Sequence, residues 1–403
     1  MKLASFVSVA IRVAAFVVSL LSHNSVANAA SGTVSGTLRF VQNNGQYCDD
    51  TVVTCTGTKY PRSEFHQSQP VKNVIVYARR ASDNVTLGWG YTDSAGQFSF
   101  SWTDNLSGTG NVSAQIIWRG EHRDNRFNLK NTSGGFWILW SNQTLIHGGP
   151  TPVGSPTWGT ATSPNAIANL YDGASKMWEN SLSQSNRMST YFTGINITAW
   201  ASSTSTNGKE VGITIDSAYS NHQAVMHEMG HSASYLASRD QNRNVGYESC
   251  YPDPGTGCGW SRHGEEWASI RFEEALATHL ATVGLYFSSA TSPFYCTGSA
   301  PCTNNNDNLE NAVTCTTADA RHPHDLMRYF WDTYDSSLGR GVWEIIDTVQ
   351  AFDNGTGEKQ KNEPWNSSGG RDDADGRSGT DFVGLWNFCN RSRPPLRFDA
   401  ADA

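Results

Sequence analysis

Apolar and polar residues alternate with a period of two along the first part of the chain. In "VKNVIVYARR", Val74, Val76 and Ala78 fall on one side and Ile75 and Tyr77 on the other. "GQFSFSW" and "VSAQIIW" continue the alternation with aromatic and β-branched residues, and clusters of Gly, Asn and Ser punctuate it. From Ser31 to about Ile146 no helical period interrupts this pattern, which predicts an antiparallel β-sandwich over residues 30–146. "HGGPTPVGSPTWGTATS", residues 147–163, lacks any period and reads as a linker.

The period changes after Ser163-Pro164, a cap followed by proline at the first helical position. Ile167, Leu170, Ala174, Met177 and Trp178 recur at three- and four-residue spacing, predicting a helix with one buried face. "GINITAW" and "VGITID" read as strands. A helix is expected around residues 224–236, and a second from Glu265 to Phe287. Further helices are expected from Asp325 to Tyr334 and over "VWEIIDTVQAF". The fold expected is therefore multidomain: an N-terminal antiparallel β-sandwich, then a mainly helical α+β domain over residues 164–403.

Composition adds a compartment. Lys2 precedes an apolar run from Val13 to Leu21 broken only by Ser19, and Ala27-Asn28-Ala29 offers small residues where a signal peptidase reads. The run is too short to span a bilayer, so residues 1–29 read as a cleaved signal peptide and the mature protein as secreted or periplasmic, without membrane insertion. Eight cysteines in an oxidising compartment point to disulfides, with Cys48 near Cys55, Cys250 near Cys258 and Cys296 near Cys302. No spacing is a Cys-x-x-Cys, which argues against cysteine-ligated metal. Acidic residues outnumber basic ones, 37 to 29, and no basic run suggests a nucleic-acid partner. "RDDADGRSGTD" is excluded as a calcium loop, because Arg371 holds the first ligand position and Phe382 the last.

One short stretch carries chemistry. In "AVMHEMGHSAS", His227 and His231 stand four residues apart and so share one helix face, the spacing that lets two imidazoles ligate one ion. Neutral imidazole nitrogens suit zinc. Glu228, beside the first histidine, is placed to take a proton from a zinc-activated water as that water attacks a carbonyl. From Ala224 to Leu236 Glu228 is the only formally charged residue, as a buried site requires. A buried acid between two histidines with no cation would be costly.

The third ligand must lie elsewhere, because Ser234 and Ala237 occupy the positions where metzincins place a glycine turn and a third histidine. "RFEEALATHLA" offers Glu274 in an apolar stripe with Trp267, Ile270, Ala277 and Ala281, where a carboxylate needs a cation. Glu273 is the rival, flanked by Ile270, Leu276, Ala277 and Leu280. His263 and His279 read as loop or surface histidines.

Glu274-Ala275-Leu276-Ala277, downstream of His227-Glu228-Met229-Gly230-His231, resembles the motif of the gluzincin clan of zinc metallopeptidases. The resemblance implies a zincin-like catalytic domain over residues 164–403, with zinc on His227, His231 and Glu274 and Glu228 as general base. It also implies a protein or peptide substrate and a Tyr or His oxyanion donor further on. Tyr329 in "RHPHDLMRYFWDTYD" is the first candidate for that donor, or else a core aromatic. "GITID" is either an edge strand that holds an extended peptide or a buried core strand. In the first region, "SGTVSGTLRF", "VKNVIVYA" and "YTDSAGQFSF" resemble the transthyretin-like regulatory domains found in carboxypeptidases, with Thr92 to Phe98 as a turn between two strands. That resemblance implies an accessory module.

The expected function is thus secreted zinc-dependent peptide hydrolysis. Two other readings stay open: a secreted binding or adhesion protein with a structural zinc site, and a zinc hydrolase of non-peptide substrates. The intact Glu228 speaks against a purely structural site, which needs the histidines but not the acid.

Overall fold

The structure is a computed structural model. It describes residues 29–41, 47–49, 58–60, 68–106, 108–158, 166–201, 204–207, 212–216, 222–238 and 268–286, with isolated residues between 289 and 334. The expected signal segment up to residue 28, every cysteine side chain, Tyr329, His263 and residues 335–403 lie outside the described residues. The chain divides into two compact units, and it passes through both more than once.

The first unit comprises Met1–Leu38, Ile75–Arg119 and Ile138–Pro156. Strands β1 (Ala30–Thr37), β8 (Gln97–Asp104) and β12 (Pro150–Gly154) form one sheet in the order β12-β1-β8. A second sheet runs β7-β6-β9-β11, from β6 (Val74–Arg80), β7 (Thr86–Tyr91), β9 (Val112–His122, here through Arg119) and β11 (Ile138–Leu145). Alternation decides what is inside: in β8, Phe98, Phe100, Trp102 and Asp104 are buried and the residues between them exposed. Phe98 meets Trp118 of the second sheet edge to face at 6.1 Å. Gly88 and Gly90 let β7 lie close on β8, since a Cβ on Gly88 would overlap the Ser101 carbonyl. The buried Asp104 carboxylate accepts hydrogen bonds from Arg80 Nη1 at 2.6 Å and Leu106 N–H at 2.8 Å, so this one polar inward position is satisfied.

The Thr92–Phe98 stretch does link two strands, β7 and β8. Asp93 Oδ1 accepts from the N–H groups of Ala95 and Gln97, both at 2.8 Å, and Gly96 adopts φ 73°. Two expectations are corrected. In place of a linker, residues 150–154 are β12, and residues 157–158 are β13 (Thr157–Trp158) of the second unit. Pro150 and Pro152 are tolerated because β12 is an edge strand. Nor is the region purely antiparallel, since β12 runs parallel to β1, pairing Thr33 with Pro150 across most of this unit's sequence.

The second unit comprises Arg39–Val74, Gly120–Trp137 and Thr157–Ala403. Short strands β2 (Arg39–Val41) and β5 (Ser68–Pro70) form a small sheet with β13, and β3 (Tyr47–Asp49) pairs with β4 (Thr58–Tyr60). Its main sheet contains β10 (Phe127–Lys130), β14 (Ile195–Ala201), β16 (Gly212–Asp216) and β15 (Ser205–Asn207). The first three run parallel, and β15 is antiparallel to β16. "GITID" is therefore no edge strand. β16 has neighbours on both sides, and the short polar β15 borders it.

Helix α1 (Ala166–Asn180) uses the expected face, but burial does not stop there: Asn169, Asp172, Gly173, Ser175 and Lys176 are buried too. A 3-10 turn (Leu182–Gln184) leads to α2 (Asn186–Tyr191), capped by Ser185 accepting the Met188 N–H at 3.2 Å. Helices α3 (His222–Ser238) and α4 (Ala268–Leu285) pack on each other and on α1, and α3 also lies against β15 and β16. Three glycines make the packing close. A Cβ on Gly173 would come within 2.9 Å of His222 Cα, and one on Gly230 within 2.6 Å of Ala277 Cα. At Gly284 the neighbours Met177 and Met226 would stand 3.4 Å away.

Candidate metal centre

The crossing of α3 and α4 brings together His227, His231 and Glu274. Glu274 Oε2 lies 3.0 Å from His227 Nε2 and 3.5 Å from His231 Nε2, and the two Nε2 atoms are 3.1 Å apart. Three donor atoms on a tetrahedral ion with bonds near 2.0–2.1 Å are separated by about 3.3 Å, so this triangle has the dimensions of three corners of such a site. The donors also suit a metal chemically, being two imidazole nitrogens and a carboxylate oxygen. His227, Glu228 and Glu274 are buried and His231 is half-buried. The structure thus assembles a buried triad able to hold a metal ion.

Packing explains the convergence. Four residues on a helix make slightly more than a turn, so His227 and His231 face the same way. Their rings meet edge to face at 4.6 Å. Gly230 and Ala277 touch backbone to backbone beside them, which draws the Glu274 carboxylate to the imidazoles. One turn beyond Glu274, Thr278 Oγ1 lies 3.1 Å from His227 Nδ1, while Thr282 Oγ1 donates to the Thr278 carbonyl at 2.9 Å. With Nε2 turned to the ion position, Nδ1 carries the proton and donates to Thr278, fixing the ring and its tautomer.

The two acids are driven in opposite directions. Burial opposes the charge on Glu274, but the adjacent His231 and His227 outweigh it and hold the carboxyl well below the usual range. At Glu228 burial dominates and pushes the carboxyl upward, reinforced by Glu274 and only partly offset by His231 and His227.

Glu274 is in the cluster, and the side chain of its rival Glu273 lies outside the described ones. His279 is corrected from a surface to a core residue. It is completely buried, with Phe330 and Tyr334 5.6 and 6.1 Å away, and burial lowers its pKa to about 3. Thr278 was overlooked, although its position four residues after Glu274 is the signal that finds it. A buried polar cluster on α1 and α3 was overlooked as well. Asp172 Oδ2 of α1 lies 2.7 Å from His222 Nε2, at the start of α3, and 3.5 Å from Lys176 Nζ. The four-residue spacing of Asp172 and Lys176 was readable, but their burial was not.

No family model matches this chain, and no curated protein matches it. Among solved structures, a 9R-lipoxygenase from Cyanothece PCC8801 is similar with a TM-score of 0.16 at 13% identity. That match covers 34% of this chain and 17% of the lipoxygenase, a likeness too slight to bear on fold or function. Among the described residues no helix is long and apolar enough to cross a membrane.

Proposed function

We propose that this protein is an exported zinc hydrolase that cleaves peptide bonds, with its site arranged as in the gluzincin clan it resembles. The observation that supports the reading is the buried His227, His231 and Glu274 triad with Glu228 on the same helix as both histidines. In this reading His227, His231 and Glu274 hold zinc and Glu228 is the general base. When bound, zinc supplies Lewis-acid polarisation of a carbonyl and activation of water at neutral pH.

The chain's own residues do the rest. His231 and His227 hold the Glu274 carboxyl below the usual range in spite of its burial, which favours the charged form that a cation needs. The upward push on Glu228 moves a carboxyl toward the working pH, which suits a group that must both take and return a proton. Thr278 holds the His227 ring in the tautomer that leaves Nε2 free to ligate.

The test compares wild type with Glu228→Ala on denatured protein substrates, with zinc measured in both. One zinc per chain is expected in each, with cleavage falling about 10²–10⁴-fold in the variant. A wild type that holds zinc but cleaves nothing would defeat the peptidase reading and leave the metal site intact. A purified wild type without metal would defeat the site.

A further inference from the structure

In a solvated antiparallel sheet the outward positions are normally polar. The outer face of the β7-β6-β9-β11 sheet departs from this. Trp89 is 57% exposed on β7, and Trp140 (54%) and Ile138 (40%) are exposed on β11, large side chains held open to water at both edges of the sheet. Strand pairing gives their arrangement. Trp89 stands opposite Tyr77, and Trp140 opposite Ile117. The Arg79 Nη2 to Gln115 Oε1 hydrogen bond, 2.6 Å, and the Ala81 N–H to Ser113 carbonyl bond put Tyr77 abreast of Ile117. Trp89, Tyr77 and Trp140 thus lie along one line across the four strands, roughly 14 Å long at ~4.8 Å per strand, with Ile117 fully enclosed at its position between Tyr77 and Trp140.

Hydrogen-bonding side chains border this row. On one side lie Arg79, Gln115 and Asn142, the last paired with Gln115 across β9 and β11. On the other, Arg119 places its guanidinium 5.8 Å from the Tyr77 ring centre, and Tyr91 meets Trp89 edge to face at 5.6 Å. Up to Arg119 the described outward residues of these four strands include two arginines and no carboxylate, and Glu121 follows at the next outward position of β9. The chain as a whole carries a formal charge of −8, so the face runs against the protein's own balance.

We infer that this face binds an acidic polysaccharide, its aromatic row stacking on successive sugar rings while Arg79 and Arg119 pair with carboxylates or sulfates. The C–H groups on the flat side of a pyranose meet the negative face of an aromatic ring favourably. Sugar rings also recur along a chain at a spacing comparable to that between strands. Arginine adds forked donors matched to carboxylate and sulfate oxygens. A row one residue wide, with polar edges, fits a ribbon of rings better than the broad apolar centre of a protein interface.

The test titrates the full chain by calorimetry against polygalacturonate, dextran sulfate, neutral dextran and poly-glutamate. Binding is expected to one or both acidic polysaccharides and not to neutral dextran, weakening as salt rises. Trp89→Ala and Trp140→Ala should each weaken it about tenfold or more, Trp89→Phe should retain most of it, and Arg79→Ala should reduce its salt dependence. Carboxylated and sulfated probes separate the two sources of charge. The inference is overturned if neither acidic polysaccharide binds, or if the double variant Trp89→Ala/Trp140→Ala binds as wild type does. Equal affinity for poly-glutamate would also overturn it, because the face would then read charge alone, as an acidic protein partner would.

Discussion

In β8 every second residue is buried and those between face water, whereas α1 is buried around its whole circumference from Ile167 to Trp178. The strand follows a rule visible in its letters: Phe98, Phe100 and Trp102 go in, Ser99, Ser101 and Thr103 stay out. The helix does not, because Asp172, Lys176 and Asn169 are as enclosed as Leu170 and Met177. The same holds on α3 and α4, where His222, Gln223, His227, Glu228, Glu274, Thr278 and His279 are buried. A polar group enclosed by helices is costly unless it is matched by a partner, as Asp172 is by His222 and Lys176 and Glu274 by the two histidines, whereas neither ring nitrogen of His279 has one among the described residues. In the first unit's sheets the inside is mainly apolar, and large exposed side chains such as Trp89 and Trp140 lie on the outer face.

The largest test of this contrast is at Asp172. Replacing it with Ala leaves Lys176 and His222 in an enclosed site without their acid, and should lower stability by about 3–5 kcal/mol. Ser101→Ala, on the exposed side of β8, should change it by less than about 0.5 kcal/mol. Urea denaturation of both variants measures the difference, and equal effects would remove the distinction.

Gly230→Ala comes next. The added methyl has no room against the Ala277 backbone, so overpacking of about 1–3 kcal/mol should exceed the gain of at most about 1 kcal/mol in helix propensity. A variant more stable than wild type in the same denaturation series would show that α3 and α4 can separate freely.

The smallest effect is a slope. His279 titrates near 3 when folded, against an ordinary value of 6.5, because burial disfavours its cation. Between those values the unfolded chain binds the extra proton, so stability present above pH 6.5 is lost as pH falls toward 3. His279→Phe, in a site already lined by Phe330 and Tyr334, should flatten this part of the stability–pH curve. An unaltered slope would assign the acid sensitivity to other groups.

These contrasts also explain what could be read from the letters. The strands from 74 to 119, α1 and α4 were legible because each repeats its apolar residues at its own period, and α3 because His227 and His231 stand four residues apart. The pairing of Glu274 with the histidines was legible because a lone carboxylate in an apolar stripe demands a cation. β12 was not, since its partner β1 lies over a hundred residues earlier and its Pro-Gly composition imitates a loop. The flanking of β16 was hidden for a similar reason, because Ser205–Asn207 is three polar residues with no pattern to betray a strand. His279 was misplaced because periodicity reports the face of one helix and not what a later segment lays over it.

The contact of Gly230 with Ala277 has a further consequence. Main chain rests on main chain there, one residue from His231 and three from Glu274, so the spacing of the two helices that carry the donors is set by a backbone contact. A triad of that kind is shaped in advance of any ion it holds. Under the proposed function it would work as a gauge, admitting ions whose radius and ligand geometry fit the gap and deforming little to accept the rest.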